Sequence, residues 1–172
     1  MSRAPGLALV GLMGSGKSTV AGLLGERLDL PVVDTDELIE RRAGCSVSAI
    51  FAERGEDGFR DLELDALRDA IRMLPCVIST GGGVVTTARG RALLASVPLV
   101  VHLDVSPAEA ATRLARDTSR PLLSADPHEA LERLHQARAA HYGEVAQLAV
   151  DVDARSPEQI AAEIVEQMEA SR

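Results

Sequence analysis

Gly11-Leu12-Met13-Gly14-Ser15-Gly16-Lys17-Ser18 fits the pattern G-x-x-x-x-G-K-[ST] at every defined position. Before it, Gly6 to Val10 is a short apolar run; after it, Lys17 to Leu28 spaces Val20, Leu23, Leu24 and Leu28 at helical intervals. Strand, Gly-rich turn and helix in that order make the segment a phosphate-binding loop rather than a flexible connection with a solvated lysine. Glycines let successive backbone N–H groups turn toward phosphates, the helix N-terminus adds positive potential, and Lys17 reaches the β- and γ-oxygens. Ser18 is left to coordinate Mg²⁺. The motif specifies nucleotide binding but leaves the acceptor open: water, a nucleotide or a metabolite.

Downstream the alternation continues. Pro31 to Asp34 is a brief strand, and Cys76 to Thr80 is another, ended by Gly81-Gly82-Gly83. Val97 to Val105 is a longer apolar stretch running into Ser106-Pro107-Ala108-Glu109, a capping-box start for a helix. Ser156-Pro157-Glu158-Gln159 repeats that signature ahead of Ile160, Ile164 and Met168 on one helical face. Short strands alternating with helices point to a parallel sheet with helices on both faces, because parallel strands need crossovers. Ligands in such folds collect at the carboxyl ends of the strands, here just after Val10, Val33, Thr80 and Leu103.

The 172 residues suit one domain, 1–172, and the 46% hydrophobic content is globular, with no repeat or linker to divide it. Eighteen basic against 26 acidic residues give a net charge of −8, a field that repels nucleic acid. No Trp, one Tyr and two Phe leave little on which to stack bases. Cys45 and Cys76 fit neither a disulfide framework nor a metal cluster and read as free thiols in a reducing compartment. The run Leu7 to Met13 is interrupted by glycines and Lys17 before reaching signal-peptide or membrane-span length. A cytoplasmic, membrane-independent monomer is the expectation. His102, His128, His135 and His141 show no metal-ligand spacing.

Several residues are candidates for the acceptor side. In Asp34-Thr35-Asp36, one carboxylate can hold metal-bound water while the other accepts or orients the acceptor's hydroxyl proton; alternatively Asp34 or Thr35 simply caps the next helix. Arg60 and Glu63, three residues apart, share a helical face. There Glu63 either fixes the guanidinium for bidentate recognition of a carboxylate or forms an exposed ion pair of little consequence. The Gly81–Gly83 run admits close backbone approach to a ligand, but glycine runs also make ordinary loops. Arg138 falls on the apolar face of its own helix with Leu131 and Leu134, where a cation either snorkels to water or meets an anion in a cleft. Arg116 to Pro127 has no period and reads as a mobile lid over about 115–127, in which Arg120 either swings over the transferring phosphoryl or stays solvated.

With these residues the chain resembles the shikimate kinase family over nearly its whole length. The resemblance rests on the phosphate loop, Asp34-Thr35-Asp36, Gly55-Glu56-Asp57-Gly58-Phe59-Arg60-Asp61-Leu62-Glu63, the three glycines, Arg120-Pro121-Leu122-Leu123, and Arg138 followed by His141-Tyr142-Gly143-Glu144-Val145-Ala146. It implies a three-layer α/β/α P-loop kinase fold with a central five-stranded parallel sheet, acceptor-binding helices at about 35–73 and a mobile lid. It further implies an ATP-dependent phosphotransferase that carries the γ-phosphoryl of MgATP to the 3-hydroxyl of shikimate, on the chorismate route to aromatic amino acids.

The resemblance also distributes roles. Asp36 would orient or deprotonate the acceptor hydroxyl, while Arg60, Arg138 and the backbone of Gly81, Gly82 and Gly83 would hold shikimate, with Glu63 supporting Arg60. Gly14, Ser15, Gly16, Lys17, Ser18 and Thr19 would bind ATP, and Lys17 and Arg120 would clamp its phosphates. Ser18 would bind Mg²⁺ directly and Asp34 through water, and adenine would pack between Arg113 and Pro157. Arg42 and Arg116 receive no role. Two rival readings are a gluconate-type kinase of the same fold and a module that senses shikimate or nucleotide without turnover.

Overall fold

The computed structural model describes residues 5–116 and 126–171. Five strands form one parallel sheet: β1 (Leu7–Val10), β2 (Val32–Asp34), β3 (Val77–Ser79), β4 (Val100–Asp104) and β5 (Leu148–Asp151), in the order β2-β3-β1-β4-β5. Among the described residues seven helices cover its faces: α1 (Lys17–Leu28), α2 (Thr35–Ala43), α3 (Val47–Arg72), α4 (Ala88–Leu94), α5 (Pro107–Ala115), α6 (Pro127–Val145) and α7 (Pro157–Ala170). The five-stranded α/β architecture expected from the sequence is the one observed.

Period-2 alternation sorts the strand residues into two cores. Leu7, Leu9, Val77, Val101 and Leu103 pack on one face with Val20, Ala21 and Leu24 of α1 and Ile160 and Ile164 of α7. Ala8, Val10, Ile78 and Val100 face the other way, onto Leu67 and Ala70 of α3, Leu94 of α4, and Tyr142 and Val145 of α6. A smaller cluster, Ile39, Ile50, Phe59 and Ala66, joins α2 to α3. Arg42 of α2, which had no assigned role, pairs with Asp69 of α3 at 2.8 Å and ties the same two helices. Both cysteines are free thiols, with Cys76 buried. No helix among the described residues is long and apolar enough to cross a membrane.

Helix starts follow local chemistry, with one correction. Ser156 and Gln159 form the reciprocal capping box expected from the sequence. Ser106 does accept from the Glu109 N–H, at 3.2 Å. The return half of that box is absent, because the Glu109 carboxylate is taken by Arg113 and the Ser106 N–H donates to Asp153. Strand β4 also begins later than the apolar stretch suggests. Val97 closes a turn onto the Leu94 carbonyl, Pro98 has no N–H to donate, and ladder pairing starts where Ala8 donates to the Leu99 carbonyl.

Three adjacent strands, β2, β3 and β1, point their carboxyl ends at one crevice. Gly11 leaves β1, Asp34 closes β2, and Thr80 to Gly83 leave β3. Gly14 and Gly16 hold φ values of 80° and 87°, a region costly for residues with a Cβ, and this left-handed path carries the loop into α1. The sequence motif thus becomes a turn that aims backbone N–H groups into the crevice.

Candidate active site

The crevice is a cavity of about 800 Å³ lined by the phosphate loop, Asp34, Asp36, Arg60, Glu63, the three glycines and Arg138. Of the sequence-predicted acceptor residues, every one reaches this cavity. Lys17 at the start of α1 curls over its own loop, its Nζ donating to the Gly11 carbonyl at 2.8 Å and the Leu12 carbonyl at 3.0 Å. Ser15 is buried beneath it.

A second cavity of about 410 Å³ contains Arg113 and Pro157, with Thr19 and Arg116 also on its wall. Gly16, Thr19 and Arg113 border both cavities. Arg113 is held from two sides, its Nε by Glu109 at 2.9 Å and its Nη2 by the Val152 carbonyl at 2.6 Å. Pro157 opens α7 behind the Ser156 cap. Arg120, with most of the expected lid, lies outside the described residues.

Asp34 is the cap of α2, and its second oxygen turns to the start of α1. Its Oδ1 accepts from the N–H groups of Asp36 and Glu37, capping α2, while its Oδ2 accepts from the Ser18 hydroxyl at 2.8 Å. Ser79, at the end of β3, brings its hydroxyl within 3.4 Å of the same Ser18 oxygen. Thr35 is no cap; its hydroxyl accepts from the Gly81 N–H at 3.1 Å, lashing the β2 end to the glycine run.

The Arg60–Glu63 pair is not a surface ion pair. The side chains are 13% and 3% exposed, and the guanidinium also reaches Glu56. Arg138 does not snorkel either: it is 7% exposed, and its Nη1 donates to the Gly82 carbonyl at 3.1 Å. The glycine run is where these groups meet. A Cβ on Gly81 would overlap the Glu63 carboxylate and stand 3.1 Å from Asp36 Oδ1. On Gly82 it would press the Gly11 carbonyl at 3.2 Å, and on Gly83 it would overlap the Arg60 guanidinium. A motif that is weak as sequence is a place in the site where a Cβ has no room.

Electrostatics follow burial. Glu63 is pushed above the usual carboxylate range because its burial outweighs the attraction of Arg60, with the Asp36 charge adding to the shift. Burial alone would lower the Arg60 guanidinium, but the charges and hydrogen bonds of Glu63 and Glu56 raise it. His102 on β4 is held below its ordinary value by burial, helped by His135 and Lys17 against Asp104. Its ring stacks on Tyr142 at 4.6 Å between centroids and 17° between planes. Tyr142 is pushed up to about 12 by burial, against the nearby Arg138.

Tyr142 is the only tyrosine, so its titration can be read directly. Tyrosinate absorbance of the folded protein should stay low through pH 10 and rise only near pH 12. Below pH 10 folded and unfolded chains hold this proton alike, so the contribution is complete there. As pH climbs toward 12 the unfolded chain loses the proton first, and roughly 3 kcal/mol of stability should be lost, read by urea melts at stepped pH. An absorbance midpoint near pH 10 in the folded protein would contradict the burial.

Sequence reasoning missed the hydroxyls of Thr35 and Ser79 and the His102–Tyr142 stack. Thr35 stands in the sequence only as a candidate cap, with no sign of its bond to Gly81, and Ser79 is signalled only by the polar ending of β3. Tyr142 appeared only inside a longer motif.

The family model for shikimate kinase matches residues 13–169. A shikimate kinase of Xanthomonas oryzae pv. oryzae (strain PXO99A) is 43% identical over 166 residues, 96% of this chain and 92% of that protein. One from Thermobifida fusca (strain YX) is 42% identical over 171 residues, 99% of each chain. Among solved structures, a shikimate kinase from Acinetobacter baumannii in complex with shikimate has a TM-score of 0.94 at 34% identity, covering 98% of this chain and 94% of that one.

Proposed function

The chain belongs to the shikimate kinase family, and from that membership we propose that its crevice transfers the γ-phosphoryl group of ATP to the 3-hydroxyl of shikimate, giving shikimate 3-phosphate and ADP. The observation that carries the acceptor side is the meeting of the phosphate loop, Asp36, Arg60 and Arg138 around Gly81–Gly83. Two buried or nearly buried guanidinia flanking adjacent glycines make a site for one carboxylate, and a cyclic acid with several hydroxyls satisfies it.

In this reading Arg60 and Arg138 bind the shikimate carboxylate, and Glu63 holds Arg60 in place. The acceptor hydroxyl lies toward the phosphate loop, where Asp36 orients it and takes its proton. Gly14, Ser15, Gly16, Lys17, Ser18 and Thr19 bind the ATP phosphates, and the cavity of Arg113 and Pro157 takes adenine between the guanidinium plane and the ring. Arg120 completes the phosphate clamp from the lid.

Mg²⁺ fits the oxygens at the start of α1. Ser18 Oγ, Asp34 Oδ2 and Ser79 Oγ are hard donors of the kind this ion takes, with phosphate and water supplying the rest. Ser18 would bind it directly and Asp34 through water; its charge would offset that building on the transferring phosphoryl group. The protein is further proposed to act as a single-domain cytoplasmic monomer.

The test is a coupled ADP-release assay with MgATP and shikimate, gluconate or no acceptor. Release that depends on shikimate is expected. Release with gluconate alone would overturn the substrate, and ATP binding without release for any acceptor would favour a sensor.

A further inference from the structure

We propose that Tyr142 is a positioning residue for the acceptor: through the Gly82 carbonyl, its hydroxyl sets the glycine backbone against which the substrate lies. The inference rests on the acceptor reading above and adds a residue outside the cavity, since Tyr142 is 1% exposed and stands behind the glycine run. The Tyr142 hydroxyl donates to the Gly82 carbonyl at 2.8 Å, and Arg138 Nη1 donates to the same oxygen at 3.1 Å.

Three consecutive glycines have no side chains to hold them and lose the most freedom on ordering, so hydrogen bonds must fix their shape. Gly81 is held at its N–H by Thr35 and at its carbonyl by the Val84 N–H. Gly83 is held at its carbonyl by the N–H and hydroxyl of Thr86. Between them, the bonds to Gly82 from the described residues come from Arg138 and Tyr142.

The peptide joining Gly82 to Gly83 is planar and trans, so a carbonyl fixed toward Tyr142 sends the Gly83 N–H to the opposite side. Arg138 cannot do this work alone. Its guanidinium lines the cavity and is also the group that must meet an incoming carboxylate, whereas the tyrosine hydroxyl is withdrawn from solvent and ligand. The ring itself is fixed by its stack on His102, which pairs with Val10 immediately before the phosphate loop. Burial keeps the hydroxyl protonated, and so a donor, across the physiological range.

Tyr142→Phe removes the hydroxyl and leaves the ring, its stack and its volume. The expected result is a rise of about tenfold in KM for shikimate, as for a buried carbonyl losing one of two donors, with kcat and KM for ATP changed less than about twofold. A general loss of structure would lower kcat and ATP binding together and would not give this split. Equal KM for shikimate in the variant and the parent would overturn the proposal.

The unaltered protein supplies a second measurement, because one Tyr and no Trp make its tyrosine emission a report from Tyr142 alone. Shikimate added without ATP should change that emission, saturating together with calorimetric binding, while gluconate should not. Calorimetric binding with unchanged emission would overturn the proposal even if the variant did not fold. A parent protein that neither binds nor phosphorylates shikimate would remove the functional reading and this inference with it. Normal turnover with an unshifted variant would remove the inference alone.

Discussion

Asp36→Asn should keep ATP affinity within about twofold while lowering kcat with shikimate by about 10²–10⁴-fold, the range for a lost positioned base. The substitution is informative because it spares the fold. The cap of α2 belongs to Asp34, whose Oδ1 receives the N–H groups of Asp36 and Glu37, and those bonds survive a change in the Asp36 side chain. Asn keeps the shape and half the acceptor capacity but cannot take a proton. Asp36 lies beside the glycine run and close enough to Glu63 for its charge to act there, which puts it on the glycine side of the cavity rather than on the phosphate loop. Steady-state kinetics and calorimetry with ATP give the two readouts. An unchanged kcat would leave Asp36 as a group that shapes the cavity and would move proton acceptance elsewhere.

The sequence carried the nucleotide side further than the acceptor side, for a physical reason. Residues 11–18 form a site from contiguous backbone, so the spacing of glycines already specifies the geometry. The sheet followed from the same local logic, and the capping signal at Ser156 was realised because both partners lie within one turn. At Ser106 the same signal was half realised, since Arg113 and Asp153 compete for its groups and neither is legible from the four residues. Spacing placed Arg60 beside Glu63 and Arg138 on an apolar face, but left open whether each was buried.

Burial there depends on chain that is distant in sequence. Gly83 makes room for Arg60, and Gly81 for Glu63. Gly82 supplies the carbonyl that receives Arg138 and Tyr142 across 56 and 60 positions. As sequence the glycines are only permissive, whereas in the fold the lack of a Cβ at Gly81 and Gly83 is a requirement imposed by charged neighbours. Thr35 shows the opposite case: beside two carboxylates it was a candidate cap, yet its hydroxyl is spent on Gly81, 46 positions away. Such pairings leave no periodic trace.

Arg138→Ala should weaken shikimate binding by about 2–5 kcal/mol, roughly 30-fold to several thousand-fold, the cost of leaving one charge of a buried pair without its partner. ATP affinity should change little, because the bonds of Lys17 and Ser18 at the phosphate loop do not pass through Arg138. Two effects would be mixed in the alanine variant: loss of the cation that meets the carboxylate, and loss of one of the two donors to Gly82. Arg138→Lys separates them in part, since an ammonium keeps the charge without the planar fork. If the carboxylate contact dominates, the lysine variant should recover part of the affinity by calorimetric titration. If the hold on Gly82 dominates, Arg138→Lys should remain near the alanine value, and Tyr142 would be the only one of the two donors left on that carbonyl. Shikimate affinity unchanged in both variants would remove Arg138 from the acceptor site and leave its burial to be explained by its bond to the Gly82 carbonyl.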